Sequence, residues 1–204
     1  MRMFMEVMTE QTFFKGLNYY IEDRYMKAAT PDDLHRNLQR AWTEAYPSSS
    51  LNIGKVMHTW EDQAGYPMIQ VQLHGNQVIF SQRRYPSSAG ELYSVPLSIA
   101  TKSRNQNFTE KTPKVWLHAG SATFLKSELD FTDGDWMVLN VQQVGYYRVD
   151  YDAALWQAII EQLKTKHDEI HAINRAVLQD EIYLAWTDLN RVTAADCLDI
   201  LSYF

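Results

Sequence analysis

Over residues 1–62 the apolar positions recur at helical spacing. Phe13, Phe14, Leu17, Tyr20 and Ile21 form one stripe, and Thr9 is placed to cap it. Thr30-Pro31-Asp32-Asp33 is a strong helix start, with a capping Thr, Pro at the first position and an Asp three residues after the cap. The helix it opens carries Leu34, Leu38, Ala41 and Trp42 on one face. Tyr46-Pro47-Ser48-Ser49-Ser50 reads as a loop. A third helix holds Ile53, Val56, Met57 and Trp60, and Gly65 terminates it.

The period changes at Tyr66-Pro67. Met68 to His74 alternates apolar and polar residues, as a half-buried strand does. Gly75-Asn76 is a tight turn, and Gln77 to Arg83 returns as a second strand. Tyr93 to Ala100 is a third, with Val95, Leu97 and Ile99 on one face and Pro96 favouring an edge or a bulge. Thr101 to Thr112 is polar and reads as an exposed loop, followed by strands at Lys114–His118 and Thr123–Lys126. In Trp136 to Asp152 a strand with Met137 and Leu139 on one face gives way at Gln142-Gln143, and Val144-Gly145 can reverse the chain. A second strand, Tyr146 to Val149, follows, and Asp152 then caps a helix. About seven short strands with regular turns predict an antiparallel β-sandwich. Beyond Asp152 the period is helical again. Leu155, Ile159 and Leu163 stack with Trp156 and Ile160 beside them, Val177, Leu178, Ile182, Ala185 and Leu189 define a second helix, and a third begins after Thr193. The predicted class is α+β and multidomain.

Composition narrows this only modestly. A chain of 204 residues with 46% hydrophobic and 13% aromatic content is a packed globular chain. The formal charge of −6 gives no general attraction to nucleic acid, and Arg83-Arg84 reads as a solvated strand end. The single cysteine, Cys197, excludes an internal disulfide and reads as buried packing. No signal peptide is visible, and no run approaches the roughly 18 apolar residues of a membrane span. Met1, Met3, Phe4, Met5, Val7 and Met8 form an apolar opening without a polar lead-in, and the last helix ends uncapped. Both ends therefore read as cut. Apolar faces such as Phe4/Met8 and Leu198/Leu201 are expected to be exposed, with self-association as the consequence.

Few groupings could carry chemistry. His167-Asp168-Glu169-Ile170-His171 has the His spacing of the zinc motif H-E-x-x-H. Asp168 stands at the base position, Asn190 stands where a third ligand would fall, and a helix is ending there. The segment reads as a polar, solvent-facing turn between helices. His35, His58, His74 and His118 are scattered singly and read as surface or helix-face residues. There is no G-x-S-x-G elbow and no Gly-rich phosphate loop. Asp32-Asp33 and Asp133/Asp135 read as cap and turn residues. Asn107-Phe108-Thr109 fits the glycosylation triplet. Arg148, flanked by Tyr146, Tyr147 and Tyr151, can pair with Asp152 or Asp180 and so pin the strands to the helices.

Several runs together resemble the zinc aminopeptidases related to aminopeptidase N. They are Arg2-Met3 with Phe13, Lys15-Gly16-Leu17 and Tyr20; Thr30-Pro31-Asp32-Asp33-Leu34; Thr59-Trp60, Gln63 and Gly65-Tyr66-Pro67; Val95-Pro96; Asn140 with Gly145 to Asp152; and Asn174-Arg175 with Asp180. Their order and spacing extend over nearly the whole chain.

The resemblance implies three parts: residues 1–65 as the helical end of a thermolysin-like catalytic domain, 66–151 as an antiparallel β-sandwich, and 152–204 as the first helices of a solenoid-like C-terminal domain. It also implies removal of N-terminal residues from peptides, with zinc polarising the scissile carbonyl and activating water. The motifs that would hold zinc and the substrate's amine have no counterpart here, so no catalytic or metal residue is assigned and the chain alone is expected to be inactive. Zinc belongs to the full-length relatives, and no cofactor is expected in this chain. What the resemblance assigns is structural: Tyr66 and Pro67 at one domain junction, and Gly145, Tyr147, Arg148, Asp152 and Arg175 at the next. The alternative function is a non-catalytic sandwich that binds a peptide or protein. The partners expected are a peptide substrate in the full-length relatives and a second copy through exposed apolar helices, with no nucleic acid and no membrane span in this chain.

Overall fold

The computed structural model describes residues 1–86, 92–104, 108–118 and 120–202. The glycosylation triplet's Asn107 lies outside them. The chain divides into two compact units, Met1–Ala64 and Gly65–Phe204.

The first unit holds α1 (Arg2–Met8), α2 (Glu10–Arg24), α3 (Pro31–Ala45) and α4 (Ile53–Glu61). Thr9, between α1 and α2, has φ 66°. The apolar face of α1 is covered: Phe4 is 6% exposed and Met8 is sealed. The expectation that these two side chains would be open is therefore wrong, because α1 folds back on its neighbour rather than projecting. Leu198 and Leu201 do stand exposed. A Cβ at Gly16 would lie 2.8 Å from Leu38 Cδ2, so Gly16 is what lets α2 approach α3 this closely. Leu38, Ala41, Ile53, Val56 and Met57 form the core.

The start of α3 is built as its sequence predicts. The Asp33 carboxylate accepts the Thr30 amide at 2.9 Å and the Thr30 hydroxyl at 3.1 Å. Arg24 and Arg36 approach the other oxygen at 2.6 and 2.7 Å. Donation from the Thr30 amide, then the Arg36 guanidinium, holds the Asp33 carboxyl down at about 2.

In the second unit β1 (Tyr66–His74), β2 (Gln77–Tyr85), β6 (Ser121–Leu125) and β8 (Arg148–Tyr151) form a four-stranded sheet in the order β6-β2-β1-β8. The hairpin of β1 and β2 pairs Tyr66 with Tyr85 at one end and His74 with Gln77 at the other. Gly75, at the turn, takes φ +55°, a conformation glycine adopts without strain. Among the described residues two short antiparallel ladders complete the β structure: β3 (Val95–Leu97) with β5 (Val115–Leu117), and β4 (Ile99–Thr101) with β7 (Met137–Leu139).

Two expected features differ. The strand expected over Tyr93 to Ala100 is divided at Ser98. There the backbone carbonyl accepts the Asn140 amide at 3.0 Å and Oγ accepts the Val141 amide at 3.0 Å. Those bonds let the chain pass from one ladder to the next without an unpaired buried carbonyl. The second difference concerns Trp136 to Asp152. Its two strands do not form a reversing pair: β7 joins β4, whereas β8 begins at Arg148 and runs parallel to β1. The β pairing is thus not wholly antiparallel. Asn140, Gln142 and Gln143 take left-handed φ of 57°, 53° and 49°, and these turn the chain out of one ladder and into the other sheet.

Three helices follow: α5 (Ala153–Lys166), α6 (Ala172–Thr187) and α7 (Ala194–Leu201). Asp152 caps α5 through the Leu155 amide at 2.9 Å, and its second oxygen accepts the Leu73 amide of β1 at 2.7 Å. Leu155, Trp156, Ile159, Ile160 and Leu163 are all buried, as their spacing predicts. The sixth helix starts at Ala172. Its cap is His171, whose Nδ1 accepts the Ile173 amide. Among the described residues no helix is long and apolar enough to cross a membrane.

Candidate functional site

The residues singled out around Gly145 gather at one place in the second unit. Tyr66, Gln143, Gly145, Tyr146, Tyr147 and Arg148 line a cleft of about 230 Å³. The Tyr66 ring lies 5.5 Å from that of Tyr85 and 5.7 Å from that of Tyr146. Pro67 is buried beside it in β1. Asn140 organises the turn beneath: its side chain accepts the Gly145 amide at 2.8 Å and donates to the carbonyls of Gly145 and Tyr147 at 3.0 and 3.1 Å. A Cβ on Gly145 would run into the buried Tyr147 ring. Among the described residues that line it, none is a nucleophile set beside a base.

Helix α6 is fastened to this junction by polar contacts along one face. Asn174 accepts the Gln142 amide at 2.8 Å and donates to the Asn140 carbonyl at 3.0 Å. Arg148 forms an ion pair with Asp180. Glu181, 4% exposed, accepts the Val149 amide at 3.0 Å. Burial raises the Glu181 carboxyl to about 8, against the opposing pull of the Val149 amide and the Arg148 guanidinium. Burial also raises Asp150, which Arg191 approaches at 3.3 Å. Arg175 donates to the carbonyls of His167 and Ile170, at 3.0 and 3.2 Å, and so closes the turn between α5 and α6.

The zinc that the resemblance implies finds no fitting residues at His167 and His171. His167 lies in a separate exposed 3₁₀ turn and His171 is spent as the cap of α6. Cys197 is buried in α7, where its thiol donates to the Ile182 carbonyl. His118 stacks on Trp116 with ring centroids 5.4 Å apart.

Two histidines expected to stand singly do not. His35 of α3 and His58 of α4 meet in the first unit, with ring centroids 5.0 Å apart and rings nearly perpendicular. Asp32 joins them: its Oδ1 lies 3.1 Å from His58 Nε2 and 3.7 Å from His35 Nδ1. The remaining nitrogens also face carboxylates, His35 Nε2 toward Glu61 at 3.0 Å and His58 Nδ1 toward Asp62 at 3.0 Å. The sequence carried part of this signal, since Asp32/His35 and His58/Asp62 are spaced to share helix faces. It did not say that the two faces meet. Glu181 was legible in the same partial way, as a carboxylate inside the Leu178/Ile182/Ala185 stripe.

With the geometry in hand, the chain can be classed as an α+β protein whose last third matches the ERAP1-like C-terminal domain family, over residues 136–204. It is 30% identical over 189 residues to aminopeptidase N of Plutella xylostella, covering 89% of this chain and 20% of that protein. It is 29% identical over 191 residues to aminopeptidase Ey of Gallus gallus, covering 90% of this chain and 19% of that protein. Aminopeptidase Q of Homo sapiens is 27% identical over 213 residues, covering 99% of this chain and 20% of that protein. The chain therefore resembles the aminopeptidases of the aminopeptidase N family over about nine-tenths of its own length, and it spans about a fifth of the length of the curated relatives it matches.

Proposed function

We propose that this chain is a scaffold segment of a zinc aminopeptidase, an enzyme that removes N-terminal residues from peptides. In this reading residues 1–65 are the helical end of a thermolysin-like catalytic domain. Residues 66–151 are a β-sandwich, and residues 152–204 open a solenoid-like helical domain. The observation that carries it is the match to aminopeptidases over about nine-tenths of this chain, set beside a sequence without H-E-x-x-H.

In such an enzyme a zinc ion polarises the scissile carbonyl and activates water. The residues of this chain have a different task. Asn140, Asn174, Glu181, Arg148 and Asp152 fasten strands to helices, so that the β structure and the helices that follow it are held together. Polar contacts suit that task because each has a required geometry, whereas apolar packing alone tolerates sliding.

The 204-residue chain by itself is expected not to hydrolyse peptides. The test is release of chromophore from an aminoacyl anilide by the purified chain, with zinc added and then chelated. Chelator-sensitive turnover by the chain alone would overturn the reading.

A further inference from the structure

We propose that Asp32, His35 and His58 supply three ligands, with water as the fourth, to one Zn²⁺ ion that clasps α3 to α4. One ligand atom from each residue lies within 4.8 Å of the others. Bonds of about 2.0–2.1 Å to a tetrahedral Zn²⁺ place neighbouring ligand atoms roughly 3.3–3.4 Å apart. The two edges that meet at Asp32 Oδ1, 3.1 Å to His58 Nε2 and 3.7 Å to His35 Nδ1, bracket that value. The His35–His58 edge, no longer than 4.8 Å, closes by rotation of the half-exposed His58 ring.

The outer groups are those a zinc-bound imidazole uses. A ligating histidine directs its second nitrogen at a carboxylate, which sets the tautomer and turns the other lone pair to the metal. Asp62 stands 3.0 Å from His58 Nδ1, and Glu61 stands 3.0 Å from His35 Nε2.

An independent observation comes from His35. It is 3% exposed, and neither of its ring nitrogens has a hydrogen-bond partner of proper geometry, although carboxylates lie close to both. A sealed imidazole with both nitrogens unsatisfied is costly. An ion drawing Nδ1 into coordination, with Glu61 settling in line with Nε2, removes that cost. Asp32, Glu61 and Asp62 also crowd three carboxylates around two imidazoles, a charge that a dication offsets. The nitrogen donors select zinc over magnesium or calcium.

The test is a titration of the chelator-stripped 204-residue chain with Zn²⁺ alone, read by competition with a chromophoric chelator and by thermal unfolding. One ion per chain should bind, Tm should rise, and Co²⁺ should give the intense visible bands of a tetrahedral site. Asp32→Ala and His58→Ala change side chains open to solvent, so both variants keep the fold and should lose the ion and the rise in Tm. Glu61→Gln and Asp62→Asn should weaken binding by about 10–100-fold. Absence of binding at sub-millimolar Zn²⁺ overturns the proposal. So does binding that survives Asp32→Ala and His58→Ala, or that instead disappears with His167→Ala.

Discussion

Glu181 of α6 accepts the backbone amide of Val149, in the middle of β8, at 3.0 Å while sealed from solvent. A ladder amide is thus satisfied by a helix side chain rather than by another strand. The bond costs the protein an ionisable group in a dry place. With the carboxyl raised from 4.5 to about 8, the native state holds the Glu181 proton more tightly than the unfolded chain does. The associated stability is complete below about 4.5 and is lost as pH rises toward about 8.

Glu181→Gln should remove that slope. Glutamine keeps an oxygen for the Val149 amide and cannot ionise. The variant is expected to match the parent in mild acid and to exceed it near pH 8 by an amount on the order of a few kcal/mol, since each tenfold change in proton affinity is worth about 1.4 kcal/mol. Urea unfolding at a series of pH values measures this, and parallel curves for the two proteins would refute it.

Gly145→Ala should destabilise by about 1–3 kcal/mol, because the new methyl meets a buried Tyr147 ring that has nowhere to go. Gly54→Ala in α4 is the matched control. Its Cβ would sit in ordinary contact, 3.5 Å from Asn52 and 3.6 Å from His35, and relief of glycine's entropy should stabilise by about 0.5–1 kcal/mol. Opposite shifts in the urea midpoint are expected.

The contacts that fasten α6 should prove unequal. Asn174→Ala removes the side-chain acceptor of the Gln142 amide and one of the two donors to the buried Asn140 carbonyl, and should cost about 1–3 kcal/mol. Asp180→Ala removes an exposed carboxylate from Arg148 and should cost under about 1 kcal/mol, less in high salt. Equal losses in chemical denaturation would contradict this ranking.

Asp33 should govern the acid side of the first unit. Its carboxyl is held below its unfolded value of 3.8, at about 2, so its contribution is present above about 3.8 and lost as pH falls through about 2. Asp33→Asn should lower stability at neutral pH and flatten the decline between those values. Helical circular dichroism across an acid titration reads the difference.

Local pattern was enough for most elements and for several of their caps, though not for Thr9, which makes no side-chain cap bond. Thr30-Pro31 opens α3, Asp152 caps α5 and Thr193 caps α7, because a cap acts on amides two or three residues away. The same short range explains what was missed. That Tyr93 to Ala100 would divide at Ser98 depends on Asn140 and Val141, more than forty residues along. Only contact between α3 and α4 unites His35 with His58, and only the docking of α6 makes Glu181 the partner of a strand amide. Phe4 and Met8 looked open for the same reason: their stripe announces a buried face without naming the surface that buries it.

The sequence by itself determined most of the helices and strands and the inward side of several, such as α5, since 3.6- and 2-residue periods are properties of the local backbone, although Phe14 and Ile21 of the expected α2 stripe stand exposed. The tertiary structure alone decided the partners: β8 parallel to β1, β7 with β4, Asn174 against Asn140, and three scattered residues, Asp32, His35 and His58, brought within reach of one ion. Periodicity specifies a face. Pairing is set by long-range packing and by the need to satisfy every buried polar group, and neither is written in any single stretch of the chain.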